Sequence, residues 1–314
     1  MPVEINKNDE ESSFNPSPDP IGIEQTPITT NEPNTYNDDN NESATGLSAI
    51  EMSDPNSINV TIPDQNAPLI ILFGPPACGK TMTLVRLTRF LQNQGYTISP
   101  IKTFRPTTDT HYKKMCDNFD QMINNNNAAA GNSRISFMLV EVLNNGKRLC
   151  QILEAPGEYY FDPQKPTAPF PNYVNKIIAS GNRKIWSILV EPDWQNDIDR
   201  RNYVTRISNL KQKMRMNDNV VFIYNKIDKT NFVRSVGDIN IPAAIQDIQY
   251  LYPNIFVPFL NRNPITKIFK KFNCEFVPFQ TGDYTQAING LTYQEGPDEY
   301  CNNLWNTLLS KIKG

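Results

Sequence analysis

Residues 74–81 read Gly74, Pro75, Pro76, Ala77, Cys78, Gly79, Lys80 and Thr81, a complete G-x-x-x-x-G-K-T pattern. No other feature limits the fold as strongly, because this pattern has meaning only between a strand and a helix. Both are written around it. Residues 68–73 form an apolar run, and Met82, Leu84, Val85, Leu87, Phe90 and Leu91 follow at helical spacing. In that setting successive backbone N–H groups wrap a polyphosphate at a helix N-terminus, where the helix dipole favours negative charge. Lys80 would set its ammonium between the outer phosphates, and the Thr81 hydroxyl would meet Mg²⁺. Gly79 would let the backbone approach closely, and Met82 closes the expected contact set. The chain is read as binding a nucleoside triphosphate.

Charge divides the 314 residues unevenly. Residues 1–66 hold 13 acidic residues against Lys7 alone, a net of −12; the whole chain is −3, which leaves +9 for residues 67–314. The first stretch is rich in Asn, Pro and Ser and shows no periodicity, so it is expected to be a disordered acidic tail. Residues 67–314 suffice for one well-packed α/β domain. Its basic residues are scattered, as in Arg200, Arg201, Lys267, Lys270 and Lys271, and make a solvated surface; nucleic acid is not indicated. Five cysteines without a Cys-x-x-Cys pattern fit a reducing cytoplasm better than a disulfide framework. The start lacks the apolar core of a signal peptide, and no stretch approaches a membrane span. His111 is the only histidine, which excludes a His-based zinc site and a Ser-His-Asp triad.

Further along, strands and helices alternate. A helix is expected over 81–94 with Gly95 as its C-cap, then a short extended segment at 96–101. A polar insertion at about 96–133 contains the run Asn124–Asn127 and a helical patch near 112–122; its remainder is expected to be mobile. Residues 134–143 and 148–153 read as strands joined by Asn144, Asn145 and Gly146, an antiparallel hairpin. Helices near 172–180 and 197–216 alternate with strands at 184–190 and 219–224. A second insertion at about 229–272 holds helices near 242–251 and 264–271. A strand at 274–279 leads to a turn at Gln280, Thr281 and Gly282. The last helix carries Leu304, Trp305, Leu308, Leu309 and Ile312 on one face, a core face by its composition. The fold class is therefore α/β: three layers, with a mostly parallel sheet and one antiparallel edge strand.

The strand at 219–224 ends in Asn225, Lys226, Ile227 and Asp228. Guanine differs from adenine in presenting two donors, N1–H and the exocyclic amine, which one carboxylate accepts together. Asp228 would do this, Asn225 would tie the base loop to the phosphate loop, and the Lys226 stem would cover the base. Thr281 and Gly282 would offer backbone N–H groups to the guanine O6. With Gly74–Thr81, Glu154-Ala155-Pro156-Gly157, Asn225–Asp228 and the turn at 280–282 in this order, the chain resembles the Ras-like P-loop GTPases over residues 67–314. The asparagine-rich insertions suggest a divergent bacterial member.

That resemblance implies GTP and GDP as ligands, Mg²⁺ as cofactor, and a protein effector or regulator as partner; oligomeric state stays open. It implies metal ligation by Thr81, by Thr108 in the first switch segment (with Thr103, Thr107 and Thr110 as other choices) and by Glu154. It implies a γ-phosphate contact at the Gly157 amide. The family usually has Asp where Glu154 stands, which changes the geometry around the ion. Glu158 stands where relatives orient the attacking water, and Arg105, preceding the threonines, is a candidate cis arginine finger. With Lys80 these are the expected catalytic residues. The expected function is a Mg²⁺-dependent GTPase switch. The alternatives are a GTP-holding scaffold with little turnover and an AAA-type ATPase, in which Glu191 would serve as the acidic strand end.

Overall fold

The computed structural model describes residues 47–124, 137–268, 270–287 and 290–313, and these belong to one unit, Glu42–Gly314. Ordered structure begins earlier than composition predicts. Helix α1 (Ala49–Ser53) is closed by a capping box between Ser48 and Glu51, and a 3₁₀ turn follows at Pro55–Ser57. Leu47, Ile58, Val60 and Ile62 are buried in the core, and the Thr61 amide donates to the Phe104 carbonyl at 2.8 Å. The tail boundary expected at residue 66 is therefore corrected: residues 47–66 are a strap packed on the domain. Alternation at 58, 60 and 62 carried that signal beneath an acidic average. The rest of the expected tail, residues 1–46, lies outside the described residues.

Strand β1 (Leu69–Phe73) is buried throughout and runs into α2 (Lys80–Asn93). Gly95, at φ 85°, ends that helix. Strand β2 (Thr97–Pro100), α3 (Thr110–Asp117) and α4 (Phe119–Asn124) follow. The expected mobile remainder of that insertion lies largely within residues 125–136, outside the described residues. Strands β3 (Met138–Asn144) and β4 (Lys147–Glu154) form the expected hairpin. Asn145 at φ 50° and Gly146 at φ 74° give its turn the twist that such hairpins require.

The single-turn α5 (Gly157–Tyr160) leads to α6 (Asn172–Ala179), β5 (Lys184–Val190), α7 (Asp197–Lys213) and β6 (Asn219–Tyr224). A small ribbon, β7 (Val233–Ser235) with β8 (Asp238–Ile239), precedes α8 (Ile241–Leu251). The helix expected at 264–271 is only a 3₁₀ turn at Thr266–Ile268. Its loop is closed at the neck by pairing of Leu260 with Phe272. Strand β9 (Glu275–Pro278) follows, and the expected turn at 280–282 opens a hairpin of β10 (Gly282–Ala287) and β11 (Gly290–Glu295) before α9 (Asp298–Lys313).

The sheet order is β2-β3-β4-β1-β5-β6-β9. Strand β1 pairs in parallel with β4 and β5, and β6 and β9 continue in parallel. Strand β3 runs antiparallel to both β4 and β2. The architecture is the expected three-layer α/β/α sandwich, mostly parallel. Phe73, in the middle strand, packs its ring at 5.0 Å from Tyr160, 6.2 Å from Trp186 and 6.3 Å from Tyr203. Buried area of this kind stabilises by about 25 cal/mol per Å². Leu304, Trp305 and Leu308 of α9 are buried, so its apolar face is core. No helix among the described residues is long and apolar enough to cross a membrane. Parallel alignment brings the C-terminal ends of β4, β1, β5 and β6 to one edge, where ligands of such sheets bind.

Candidate functional site

The loop between β1 and α2 is shaped by two residues with left-handed backbone, Ala77 at φ 60° and Gly79 at φ 89°. A Cβ on Gly79 would stand 2.3 Å from the Asn225 amide nitrogen, so glycine is required for close approach as well as for conformation. The Gly79 carbonyl accepts from the Thr83 amide at 2.8 Å and from its hydroxyl at 2.9 Å. Pro76 and Ala77 lie exposed at the rim, whereas Gly74, Pro75 and Cys78 are buried beneath it. Burial pushes the Cys78 thiol up to about 11.

Lys80 is buried at the head of α2, with its ammonium donating to the Pro75 carbonyl at 2.8 Å. The Thr81 hydroxyl donates to Glu154 Oε1 at 2.9 Å. Glu154 Oε2 accepts from the Phe137 amide at 2.8 Å, and Phe137 holds an unusual φ of 53°. Burial raises the Glu154 pKa, opposed by the positive charge of Lys80 and by these two hydrogen bonds. A buried carboxylate beside a threonine hydroxyl is a hard-oxygen donor pair suited to Mg²⁺. Beyond β4, Gly157 is wedged against the loop. A Cβ there would meet Lys80 Nζ, the Pro75 carbonyl carbon and the Pro76 nitrogen, each at 2.5 Å. Glu158 projects into solvent from the first turn of α5.

At the end of β6, Asn225 is buried and its Nδ2 donates to the Cys78 carbonyl at 3.2 Å. Its amide donates to the Val190 carbonyl at 2.8 Å. Asn225 thus joins three segments: the Gly74–Thr81 loop, β5 and the loop that follows β6. Lys226 has φ 57°, and its ammonium lies 2.6 Å from Glu191 Oε2. Asp228 sits in the short 3₁₀ turn Ile227–Lys229; partial desolvation, reinforced by the Asp283 carboxylate, raises its pKa. Gly282, at φ 134°, starts β10 opposite Glu295, and the Thr281 carbonyl accepts from the Tyr293 hydroxyl. The hairpin is held to α2: Arg86 meets Glu295 at 3.0 Å and also Asp298, and Arg89 meets Glu295 at 2.7 Å.

The first switch segment is placed differently from the expectation for Arg105. Its guanidinium is buried between Glu51 Oε1 at 2.5 Å, Asp109 Oδ2 at 2.8 Å and the Asn59 carbonyl at 2.9 Å. It also covers the Phe137 ring. These contacts engage Arg105 with the strap, whereas the arginine-finger expectation requires it free to reach the phosphates. Thr103, Thr107, Thr108 and Thr110 are all exposed along this segment. Two contributors were missed from sequence: the Phe137 amide, which has no side-chain signal, and the pairing of Glu191 with Lys226. Glu191 carried a readable signal, since it ends its strand as Glu154 and Asn225 end theirs.

No protein-family model matches the sequence, and no curated protein matches it. Among solved structures, nucleolar GTP-binding protein 1 from Plasmodium falciparum is similar at 14% identity and a TM-score of 0.40, over 81% of this chain and 90% of that one. The Ski7 GTPase-like domain of S. cerevisiae, bound to GTP, is 12% identical with a TM-score of 0.37, over 85% and 52%. Elongation factor SelB from Methanococcus maripaludis is 10% identical with a TM-score of 0.34, and this chain spans 34% of its length. In the order of its sheet and the strand ends that carry Gly74–Thr81, Glu154 and Asn225, the chain resembles the P-loop GTPases.

Proposed function

We propose that this protein binds GTP with Mg²⁺ at the Gly74–Thr81 loop and hydrolyses it to GDP and phosphate, as a conformational switch. The observation that carries the reading is the hydrogen bond from Asn225 to the Cys78 carbonyl. It links the loop that would hold phosphates to the loop that would hold a base, across three adjacent strands. Thr81 and Glu154 would hold the ion, with Thr108 joining from the first switch segment, and the ion would offset charge on the phosphate oxygens. Lys80 would exchange the Pro75 carbonyl for a charged phosphate oxygen, a stronger acceptor. Gly157 stands against Lys80 and Pro75, where its amide would sense the outer phosphate. Glu158 would orient the attacking water. Asp228 would read the guanine donors, and Lys226 would cover the ring. Free, largely buried cysteines accord with a reducing cytoplasm.

A second reading, a scaffold that holds GTP with little turnover, is favoured by the commitment of Arg105 to Glu51 and Asp109. The ATPase alternative has less support: the acid hydrogen-bonded to the phosphate-loop threonine is Glu154, whereas Glu191 is engaged by Lys226. Equilibrium binding of GTP, ATP and XTP to wild type and Asp228→Asn tests the base. Guanine affinity should fall about a hundredfold and xanthine affinity should rise, since a buried polar mismatch discriminates strongly. An unchanged preference refutes the assignment. Single-turnover hydrolysis by wild type and Glu158→Ala then separates switch from scaffold.

A further inference from the structure

We infer that Glu191 is a positioning residue for the base site: it anchors the Lys226 ammonium so that the lysine stem lies where guanine would stack. This rests on the guanine-binding reading proposed above. Glu191 directly follows β5, and its side chain is 3% exposed. Its Oε2 lies 2.6 Å from Lys226 Nζ, the shortest ionic contact made by the residues 225–229. Asp193 adds a longer contact to Lys226 at 3.5 Å and one to Lys229 at 3.2 Å. Two acids on one side thus grip two lysines that flank Asp228 on the other.

The arrangement is built rather than incidental. A carboxylate this buried is unfavourable unless paired, and burial raises the Glu191 pKa while Lys226 opposes the rise. Lys226 responds in the complementary sense: burial works against its charge, yet Glu191 and Asp193 raise its pKa overall. The backbone around the pair is equally fixed. The Tyr252 hydroxyl donates to the Glu191 carbonyl at 2.9 Å, and the preceding carbonyl, Val190, accepts from the Asn225 amide. The end of β5 therefore sets both the backbone of Asn225 and the ammonium of Lys226. Lys226 itself holds φ 57°, a conformation disfavoured for a lysine. Neutralising Glu191 releases a four-carbon stem with high rotamer entropy, which must then be ordered when the base arrives.

The test is a mutant cycle on the full chain, read by fluorescent-GTP and fluorescent-ATP binding. Glu191→Gln should weaken GTP binding about tenfold while turnover at saturating GTP is unchanged; in a Lys226→Met background the same substitution should have no further effect. Lys226→Arg, which keeps the ionic contact but changes the stacked stem, should lose clearly less GTP affinity than Lys226→Met. Equal GTP affinity in wild type and Glu191→Gln overturns the inference, as does an equal loss with and without Lys226. If Glu191→Gln does not fold, Lys226→Met and Lys226→Arg carry the test, and similar losses in both overturn it. Wild type that does not prefer GTP to ATP refutes the guanine reading itself, and this inference with it.

Discussion

Arg105→Ala should unfold this protein more readily rather than merely slow it. The guanidinium binds Glu51 at 2.5 Å and Asp109 at 2.8 Å, with all three side chains at most 14% exposed. A third bond reaches the Asn59 carbonyl. Truncation leaves two carboxylates without their cation in a setting that hydrates them poorly. Removing one partner of a buried ion pair typically costs about 3–5 kcal/mol. In a domain of this size that lowers the melting midpoint by about 2–4 °C per kcal/mol, so roughly 6–20 °C in all. Urea titration followed by tryptophan fluorescence is suitable, because Trp186 and Trp194 are buried. A neutral triple variant, Arg105→Met with Glu51→Gln and Asp109→Asn, should recover most of the loss. Asp109 also caps α3 through the Tyr112 amide at 2.8 Å, and asparagine retains that role. An Arg105→Ala protein that melts like wild type but hydrolyses GTP a thousandfold more slowly would refute this account and restore the arginine finger.

Two further outcomes follow from the same geometry. Gly157→Ala should drive a methyl into Lys80 Nζ and the Pro75–Pro76 backbone, displacing α5; about 1–3 kcal/mol of stability and much of the triphosphate affinity should be lost, while diphosphate affinity suffers less. Calorimetric titration with both nucleotides reads that difference. Lys184 is fully buried, with its ammonium on the Ser180 and Asn182 carbonyls, and burial lowers its pKa from 10.5 to about 8. Between those values the unfolded chain binds more protons than the folded one, so this group makes stability rise with pH across that window. Denaturation midpoints of wild type and Lys184→Met from pH 7.5 to 10.5 should differ in slope, the variant lacking this rise; parallel curves would refute the assignment.

Much of the domain was legible because parallel strands buried on both faces read as apolar runs. Strands β5 and β6 fall where the runs at 184–190 and 219–224 placed them, and the glycine of the β3–β4 turn declared its hairpin. Legibility failed where neighbours, not local pattern, decide the conformation. The strap residues Leu47, Ile58, Val60 and Ile62 are too few to outweigh an acidic average, yet they bury fully against distant elements. The β10–β11 hairpin is held by Arg86 and Arg89 from a helix about two hundred residues earlier in the chain, a partnership no local window contains. Arg105 shows the same failure at the site. Its place before the threonines suggested chemistry, and only the fold reveals that Glu51 reaches it first.

The strand ends explain why this edge of the sheet can hold a polar ligand at all. β1 has a buried acid on each side: Glu154 at the end of β4 and Glu191 beyond β5. Two nearly enclosed carboxylates flanking one strand oppose folding unless each is engaged. They are engaged differently. Glu154 takes a hydroxyl and a backbone amide, neutral donors that leave its charge uncompensated except by Lys80 nearby. Glu191 takes a full cation, Lys226. On the proposed reading the first arrangement would leave a carboxylate for an ion beside the Gly74–Thr81 loop; the second commits its acid to fixing a side chain. Position along the sheet alone would have made the two acids equivalent. On the function proposed above, their partners would divide the edge into a side for the ion and a side for the base, with Asn225 joined to both.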